Sequence, residues 1–194
     1  DVFMTKDQER SFIARITCDG INMTFFDKIL SAGHFESSRG RSPIPPNVVT
    51  TVEAYDPASR TMRRVGGRKS TAMVVHFKCY DDYYNLQILS EDYYQKYFSK
   101  GGQGVLGAYP AAGSDTTSFN LLNSNHQIIT LDDLSSSQAA LHLKARNAGI
   151  IKKEIWRDPA YSTCFTDKSG DIATFKLDIL ERHVSTPERS SPYT

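Results

Sequence analysis

Two short stretches in the first half of the chain combine residue types that contact phosphate groups. Residues 37–43 contain Arg39 and Arg41 among three serines and a glycine. Residues 63–69 surround two glycines with four cations: Arg63, Arg64, Arg68 and Lys69. Arginine and hydroxyl groups donate hydrogen bonds to phosphate oxygens and base edges, and glycine lets the backbone come close. We therefore predict that both stretches bind a polyanion, and DNA in particular.

The charge distribution supports this prediction. Between residues 39 and 78 the chain carries eight Lys and Arg residues against Glu53 and Asp56, whereas its formal net charge is only +1. A third basic patch follows later, formed by Lys144, Arg146, Lys152 and Lys153, with Trp156 beside it. Clustered cations favour a polyanionic partner, although a plain solvated surface has the same composition. Both interpretations stay open at this point.

Catalytic and metal sites are the competing chemistry, and the sequence favours neither. Cys164 with His183, or with His142 and Asp158, has the elements of a nucleophile and a base, but no motif for an oxyanion hole accompanies them. A buried structural cysteine is the simpler interpretation. We expect the protein not to be an enzyme.

No cofactor or metal is expected either. His76 and Cys79 are three residues apart and would point to opposite faces of a strand. Residues 101–104 are glycine-rich, but no Lys-Ser or Lys-Thr pair follows them as in a phosphate-binding loop.

The composition is that of a globular β protein. The 194 residues are 39% apolar and 23% charged, with ten Tyr and ten Phe. Short segments rich in aromatic and β-branched residues alternate with turn residues, as in sandwiches and barrels. The three cysteines are far apart, which predicts free and mostly buried thiols. No apolar run approaches the roughly 18 residues of a membrane span, and we expect no membrane partner.

The elements that would position the basic stretches are strands. We predict strands over 11–16, 21–26, 48–55 and 71–80, with turns at Asp19-Gly20 and at 56–59. Residues 33–47 form a long predicted loop. Residues 81–98 are acidic and tyrosine-rich without a clear period, and 135–146 offer the one plausible helix. We expect a single β-rich domain over 1–184, with a subdivision conceivable near 79–100, and a flexible tail over 185–194.

The second half resembles the β-trefoil part of the CSL transcription factors, the Suppressor of Hairless family. Four segments carry the resemblance: 96–102, 118–122, 126–131 and 140–146. Upstream, 48–55 and the 63–69 tip are similar to the last hairpin of the family's Rel-like domain, which ends in a phosphate-contacting stretch. The family's Lys-Ser-Tyr-Gly element and the Arg-Phe-Phe-Cys-Pro-Pro-Pro segment after it, which read bases, have no counterpart here. The resemblance therefore implies DNA binding but not the family's base specificity.

The expected fold is mainly β, a Rel- or immunoglobulin-like β-sandwich with trefoil-like or barrel-like strands. The expected function is sequence-specific or general double-stranded DNA binding by basic β-loops, as in a nuclear transcription factor, with protein co-regulators as further partners. The predicted DNA contacts are Arg39, Arg41, Arg63, Arg64, Arg68, Lys69, Lys144 and Arg146.

The alternative is a non-enzymatic interaction module that binds protein or glycan through a tyrosine-rich surface, since tyrosine is favoured at interfaces. Its candidate residues are Tyr80, Tyr83, Tyr84, Tyr93, Tyr94 and Tyr97. The sequence leaves the oligomeric state open.

Overall fold

A computed structural model describes residues 3–31, 44–65, 71–156 and 161–194. These residues are mainly β, with two short α-helices, α1 (Lys6–Arg10) and α2 (Phe26–Ser31). The strands in the first half are β1 (Phe12–Cys18), β2 (Ile21–Phe25), β3 (Val49–Thr51), β4 (Glu53–Asp56), β5 (Thr61–Arg64), β6 (Met73–Tyr80) and β7 (Tyr83–Ile88). Those that follow are β8 (Tyr97–Lys100), β9 (Leu106–Tyr109), β10 (Phe119–Leu122), β11 (Ile128–Ile129), β12 (Gln138–Ala145), β13 (Lys152–Trp156), β14 (Ser162–Thr166), β15 (Asp171–Ile172) and β16 (Phe175–Arg182).

Six antiparallel strands close into a barrel. The first strand, β1, pairs with β6 on one side and with the last strand, β16, on the other. From β6 the ring continues through β7, β10 and β12 and returns to β16. Closure removes the free sheet edges that an open sheet of these strands would expose.

Three hairpins lie against the barrel, one for each pair of barrel strands. They are formed by β2–β3, β8–β9 and β13–β14. Isolated bridges join neighbouring hairpins, from Val48 to Gly107 and from Val105 to Thr166. The chain thus repeats the order barrel strand, hairpin, barrel strand three times. Each repeat is one lobe, and the three lobes form a trefoil-like arrangement.

Alternating burial explains why these segments form a barrel. In β7, Tyr84, Leu86 and Ile88 point into the core, while the residues between them are half-buried. Period-two burial is what a strand with one face on a core requires. Aromatic rings fill the interior, where Phe12 and Phe77 stack with ring centroids 4.6 Å apart.

A second sheet is built onto the third hairpin. Its order is β15-β13-β14-β4-β5, so that the β4–β5 ribbon of the first lobe extends the β13–β14 hairpin. On one face of this sheet, Cys164 and Trp156 pack in a small apolar cluster with Phe26 and Val48.

Several sequence predictions are confirmed. The protein is mainly β with a barrel, and the strand at 71–80 forms as β6. The Asp19-Gly20 turn forms with positive φ at both residues, 51° and 82°. The cysteines are free and buried.

Other predictions are confirmed only in part or are wrong. A Rel- or immunoglobulin-like sandwich is not confirmed, because β1 and β6 of the first half are strands of the same barrel as the second half. The resemblance places the trefoil strands from Tyr97 onward. The six-stranded ring, however, also contains β1, β6 and β7, which precede Tyr97 in the sequence. The plausible helix at 135–146 is wrong: it is β12, whose Leu141, Leu143 and Ala145 face the core. The predicted strand at 48–55 is interrupted at Val52 and divides into β3 and β4.

The C-terminal residues return to the barrel. Val184 donates its backbone N–H to the carbonyl of Ser11, and Tyr193 donates to the carbonyl of Leu89. The guanidinium of Arg189 lies 4.0 Å from the ring centroid of Tyr193. The flexibility expected for 185–194 stays a prediction. Most of the loop expected at 33–47 lies outside the described residues.

Candidate nucleic-acid interface

The β4–β5 ribbon carries the described part of the main basic stretch. β5 forms one edge of the five-stranded sheet, and all four of its residues are exposed. Arg63 reaches back along the ribbon, with its Nη1 3.1 Å from Oδ2 of Asp56, while 70% of its side chain remains exposed. The backbone N–H of Ala58 lowers the pKa of the Asp56 carboxyl, and the Arg63 guanidinium lowers it further.

The two arginines of this ribbon point to opposite faces. Arg63 lies opposite Ala54 in the ladder and Arg64 lies opposite Glu53. Successive side chains alternate across a strand, so a ligand lying flat on one face of the sheet meets only one of them. A ligand that grips the edge of the sheet meets both.

Half of the predicted DNA contacts cannot be placed. Arg39 and Arg41, and also Arg68 and Lys69, lie outside the described residues. Arg68 and Lys69 follow the last residue of β5 by four and five positions in the sequence.

The other predicted contacts lie on the barrel. Lys144 is half-buried on β12, opposite Asn120 of β10. Arg146 is exposed just after β12, and its guanidinium carbon lies 3.6 Å from the ring centroid of Tyr83. The barrel and the five-stranded sheet are separate sheets. The structure therefore brings Arg146 to a tyrosine of β7, not to the arginines of β5.

The Arg146 contact belongs to a longer row of side chains on the barrel surface. The rings of Tyr80 and Tyr83 stack at 5.9 Å with an interplanar angle of 21°. Nζ of Lys78 lies 5.8 Å from the Tyr80 centroid, at the other end of the row from Arg146. We call Lys78, Tyr80, Tyr83 and Arg146 the cation–tyrosine row. Each cation lies within reach of an attractive interaction with an aromatic face.

The remaining tyrosines of the predicted surface have different surroundings. Tyr84 is fully buried, donates its hydroxyl to the Arg10 carbonyl and accepts from the N–H of Leu131. Tyr93 donates to Asp27, and Tyr94 packs in a cluster with the C-terminal segment. Tyr97 is half-buried, and burial raises the pKa of its phenol.

Two lysines of the third basic patch are engaged by carboxylates or carbonyls. Lys153 forms an ion pair with Asp19 across the two sheets. Lys152 reaches the carbonyl of Asp167, whose carboxylate accepts Nζ of Lys100 at 2.9 Å. Burial alone would raise the pKa of Asp167, but the Lys100 ammonium holds it below its usual value. No local sequence pattern indicates this Lys100–Asp167 pair, because it joins two lobes.

The residues considered for catalysis that the structure describes have different surroundings. Cys164 is buried, and desolvation raises the pKa of its thiol to about 12. The rings of His142 and His183 contact the backbone carbonyls of Ala173 and Glu9. Asp158 lies outside the described residues.

Neither a metal centre nor a membrane-spanning helix is found in the described ranges. No three His, Cys, Asp or Glu side chains there are placed to hold a metal ion together. His76 faces the carbonyl of Val184, whereas Cys79 lies in the core. No helix among the residues that the structure describes is long and apolar enough to cross a membrane.

Comparisons of the chain with known protein families, with curated proteins and with solved structures found no match.

Proposed function

We propose that the protein binds double-stranded DNA through the edge of its five-stranded sheet. The observation that carries the proposal is the β4–β5 ribbon, whose outer strand is exposed along its whole length and bears Arg63 and Arg64. A major groove about 12 Å wide admits a two-stranded β-ribbon. Insertion by an edge would let arginines on both faces reach opposite walls of the groove.

The Arg63–Asp56 ion pair does not oppose this mode of binding. Both groups lie at the surface, and the Arg63 side chain is 70% exposed. An exposed ion pair contributes little to stability, so a phosphate can replace Asp56 as the partner of Arg63. Asp56 would then help to orient the arginine in the unbound protein.

The same proposal extends to residues that follow in sequence or lie elsewhere. Arg68 and Lys69, the next cations after β5 in the sequence, would add phosphate contacts, and so would Arg39 and Arg41. Lys144 and Arg146 would contribute where the DNA passes over the barrel. Such a protein would act in the nucleus in the manner of a transcription regulator, with co-regulators bound elsewhere, as the resemblance to the CSL family implies.

A salt titration tests the proposal. Binding to a fluorescent duplex is measured by anisotropy at several salt concentrations. The logarithm of the association constant should fall linearly with log salt, with a slope near −0.9 for each phosphate contact. A variant with Arg63→Gln, Arg64→Gln and Arg68→Gln should bind more weakly and lose about 0.9 of slope per broken contact.

The matched control removes the same charge elsewhere. Lys6, Lys96 and Lys176 are exposed and lie outside the ribbon, so their combined replacement by Gln preserves the net charge of the arginine variant. This control should keep nearly the native affinity and slope. Equal losses in the two variants would show a non-specific charge effect, and absence of binding at low salt would end the proposal.

A second candidate function is favoured by the cation–tyrosine row. Tyr80 is 37% exposed, and its ring continues a stack that ends in a cation on each side. Exposed, rigid aromatic rings beside cations are typical of interface anchors. The protein would then be an interaction module for protein or glycan.

The two functions are separated by substitutions at the two sites. Tyr80→Ser with Tyr83→Ser should abolish binding to an array of immobilised glycans and acidic peptides if the row is the interface. The Arg63, Arg64 and Arg68 variant should bind that array normally. On duplex DNA the first proposal predicts the reverse: the arginine variant should bind weakly, and the tyrosine variant should bind normally. If the native protein bound no member of the array, the second proposal would be eliminated.

A further inference from the structure

A cleft of about 390 Å³ lies between the two sheets. The turn between β1 and β2 forms one wall, and the face of β13, β14 and β5 forms the other. This volume falls in the range of roughly 300–1,000 Å³ in which small molecules bind. The cleft shares Met62 with β5 but is not lined by Arg63 or Arg64, and it is distinct from the cation–tyrosine row.

The walls of the cleft are apolar. Ile155 lies opposite Thr163 in the β13–β14 ladder, and Met62 comes from the same face of the sheet on β5. Ile155 is 40% exposed and Met62 is 42% exposed, both high values for large apolar side chains. Ile21 faces them from β2. Covering these side chains with an apolar group would remove their surface from water, which is favourable.

The rim of the cleft is acidic. Asp19 of one wall forms an ion pair with Lys153 of the other, so the only ammonium among the described lining residues already has a carboxylate partner. Two further acidic residues line the cleft, Glu154 and Asp171. Glu154 lies opposite Cys164 in the ladder, so its side chain alternates to the other face from Lys153, where its carboxylate accepts the hydroxyl of Ser169. The carboxylate of Asp171 remains. Asp171 is exposed and lies opposite Lys153 in the β13–β15 ladder. The rim therefore carries two negative charges against one positive charge.

We propose that this cleft binds a small organic cation, an aryl or alkyl group that carries a primary ammonium. The apolar group would lie between Met62, Ile155 and Ile21. The ammonium would lie at the rim beside Asp171, where it offers three hydrogen-bond donors to carboxylate oxygens. An anionic ligand would meet an excess of negative charge there.

This site does not depend on the proposed DNA binding. A polyanion is repelled by the same carboxylates that attract an ammonium, so the two ligands require different surfaces. The cleft can be tested on the whole chain without any nucleic acid. Its failure and the failure of the DNA proposal are therefore separate results.

Three probes of similar size and different charge test the inference. They are 2-phenylethylammonium, 2-phenylethanol and 3-phenylpropanoate, each titrated into ¹⁵N-labelled protein and followed by amide chemical shifts. We expect the ammonium to bind most tightly and the carboxylate most weakly, with shifts at residues 153–155, 62 and 171. Equal affinities for the ammonium and the alcohol, or shifts confined to other regions, would overturn the proposal.

Substitutions on one short strand supply the controls. Asp171→Asn should weaken ammonium binding about two- to fivefold, the range of an exposed ion pair, and leave the alcohol unchanged. Ile172→Ala is the matched control, because Ile172 is similarly exposed at 38% but alternates to the opposite face of the sheet. Met62→Ala should weaken both the ammonium and the alcohol. The assigned site is wrong if Asp171→Asn leaves the affinity for the ammonium unchanged. It is also wrong if Ile172→Ala weakens binding of the probes as much as Met62→Ala does.

Discussion

His76 is a buried histidine whose surroundings favour its neutral form. It is 2% exposed on the outer side of β6, beneath the C-terminal segment, and its Nε2 lies 2.7 Å from the carbonyl oxygen of Val184. Burial lowers the pKa of the imidazole, and the nearby ammonium of Lys78 acts in the same direction. The Val184 carbonyl opposes them but does not reverse the shift. The burial of this side chain therefore makes the stability of the folded chain depend on pH.

The sign of this coupling leads to a prediction about acid stability. Above about pH 6.5 the imidazole is neutral in the folded and the unfolded chain. Below that pH the unfolded chain binds a proton that the folded chain binds only at lower pH, so stability is lost as pH falls. For one group the slope cannot exceed about 1.4 kcal/mol per pH unit. Urea unfolding between pH 7.5 and 5 should show this loss.

Replacing the imidazole distinguishes His76 from other titrating groups. A His76→Gln variant keeps an N–H donor for Val184 but has no proton to gain, so its stability should fall less between pH 7.5 and 5. His126 is exposed, and His126→Gln should retain the native slope. The same slope in all three proteins would contradict the assignment to His76.

At the scale of elements, the turn that precedes β15 depends on a glycine. Gly170 has φ of +116°, a conformation that L-residues rarely adopt, and a Cβ there would collide with the carbonyl oxygen of Lys153. Gly170→Ala should therefore cost about 1–3 kcal/mol from the backbone conformation, with a further cost from the collision. Gly102 has open space around its Cα, so Gly102→Ala is the control. Chemical denaturation of both variants measures the difference, and equal stabilities would refute the role of Gly170.

The local sequence was sufficient to predict some secondary-structure elements but not others. Asp19-Gly20 and the apolar run in β6 have strong local signals, and both were predictable. Residues 138–145 contain good helix formers, yet they form β12 because β10 and β16 offer ladders on both sides. Those partners are distant in sequence, so no local pattern contains them.

The candidate sites show the same division. The arginines of β5 are evident as a local run of cations, but they were expected in the 63–69 tip of a hairpin, and the structure places them on a strand. The contact of Arg146 with Tyr83 joins β12 to β7, and the acidic cleft joins β2 to β13 and β5. The contact and the cleft both depend on barrel closure. Closure was not evident from the sequence, because the first half predicted a sandwich and only the second half predicted trefoil strands. A site assembled between lobes is predictable only once the lobes are arranged.

For the whole molecule, barrel closure depends on the two ends of the chain. β1 and β16 pair along nearly their full lengths, and the β6–β7 hairpin continues the ring through the region near 79–100. A division there would leave each part with an open barrel and exposed strand edges. We therefore expect a single cooperative unit, in which the first hundred residues do not fold alone.

A circular permutant tests this expectation directly. Val184 donates a hydrogen bond to Ser11, so the last and first strands end close together, and a flexible linker from residue 194 to residue 1 should cause little strain. New ends at the exposed residues 111–112, between β9 and β10, interrupt no strand. The permutant should keep the far-UV circular dichroism of the native chain and unfold in one transition. A chain that ends at residue 170 lacks β15 and β16 and should show neither property, because β1 and β12 would both lose a neighbour. A fragment of residues 1–100 that unfolds cooperatively on its own would contradict the single closed barrel.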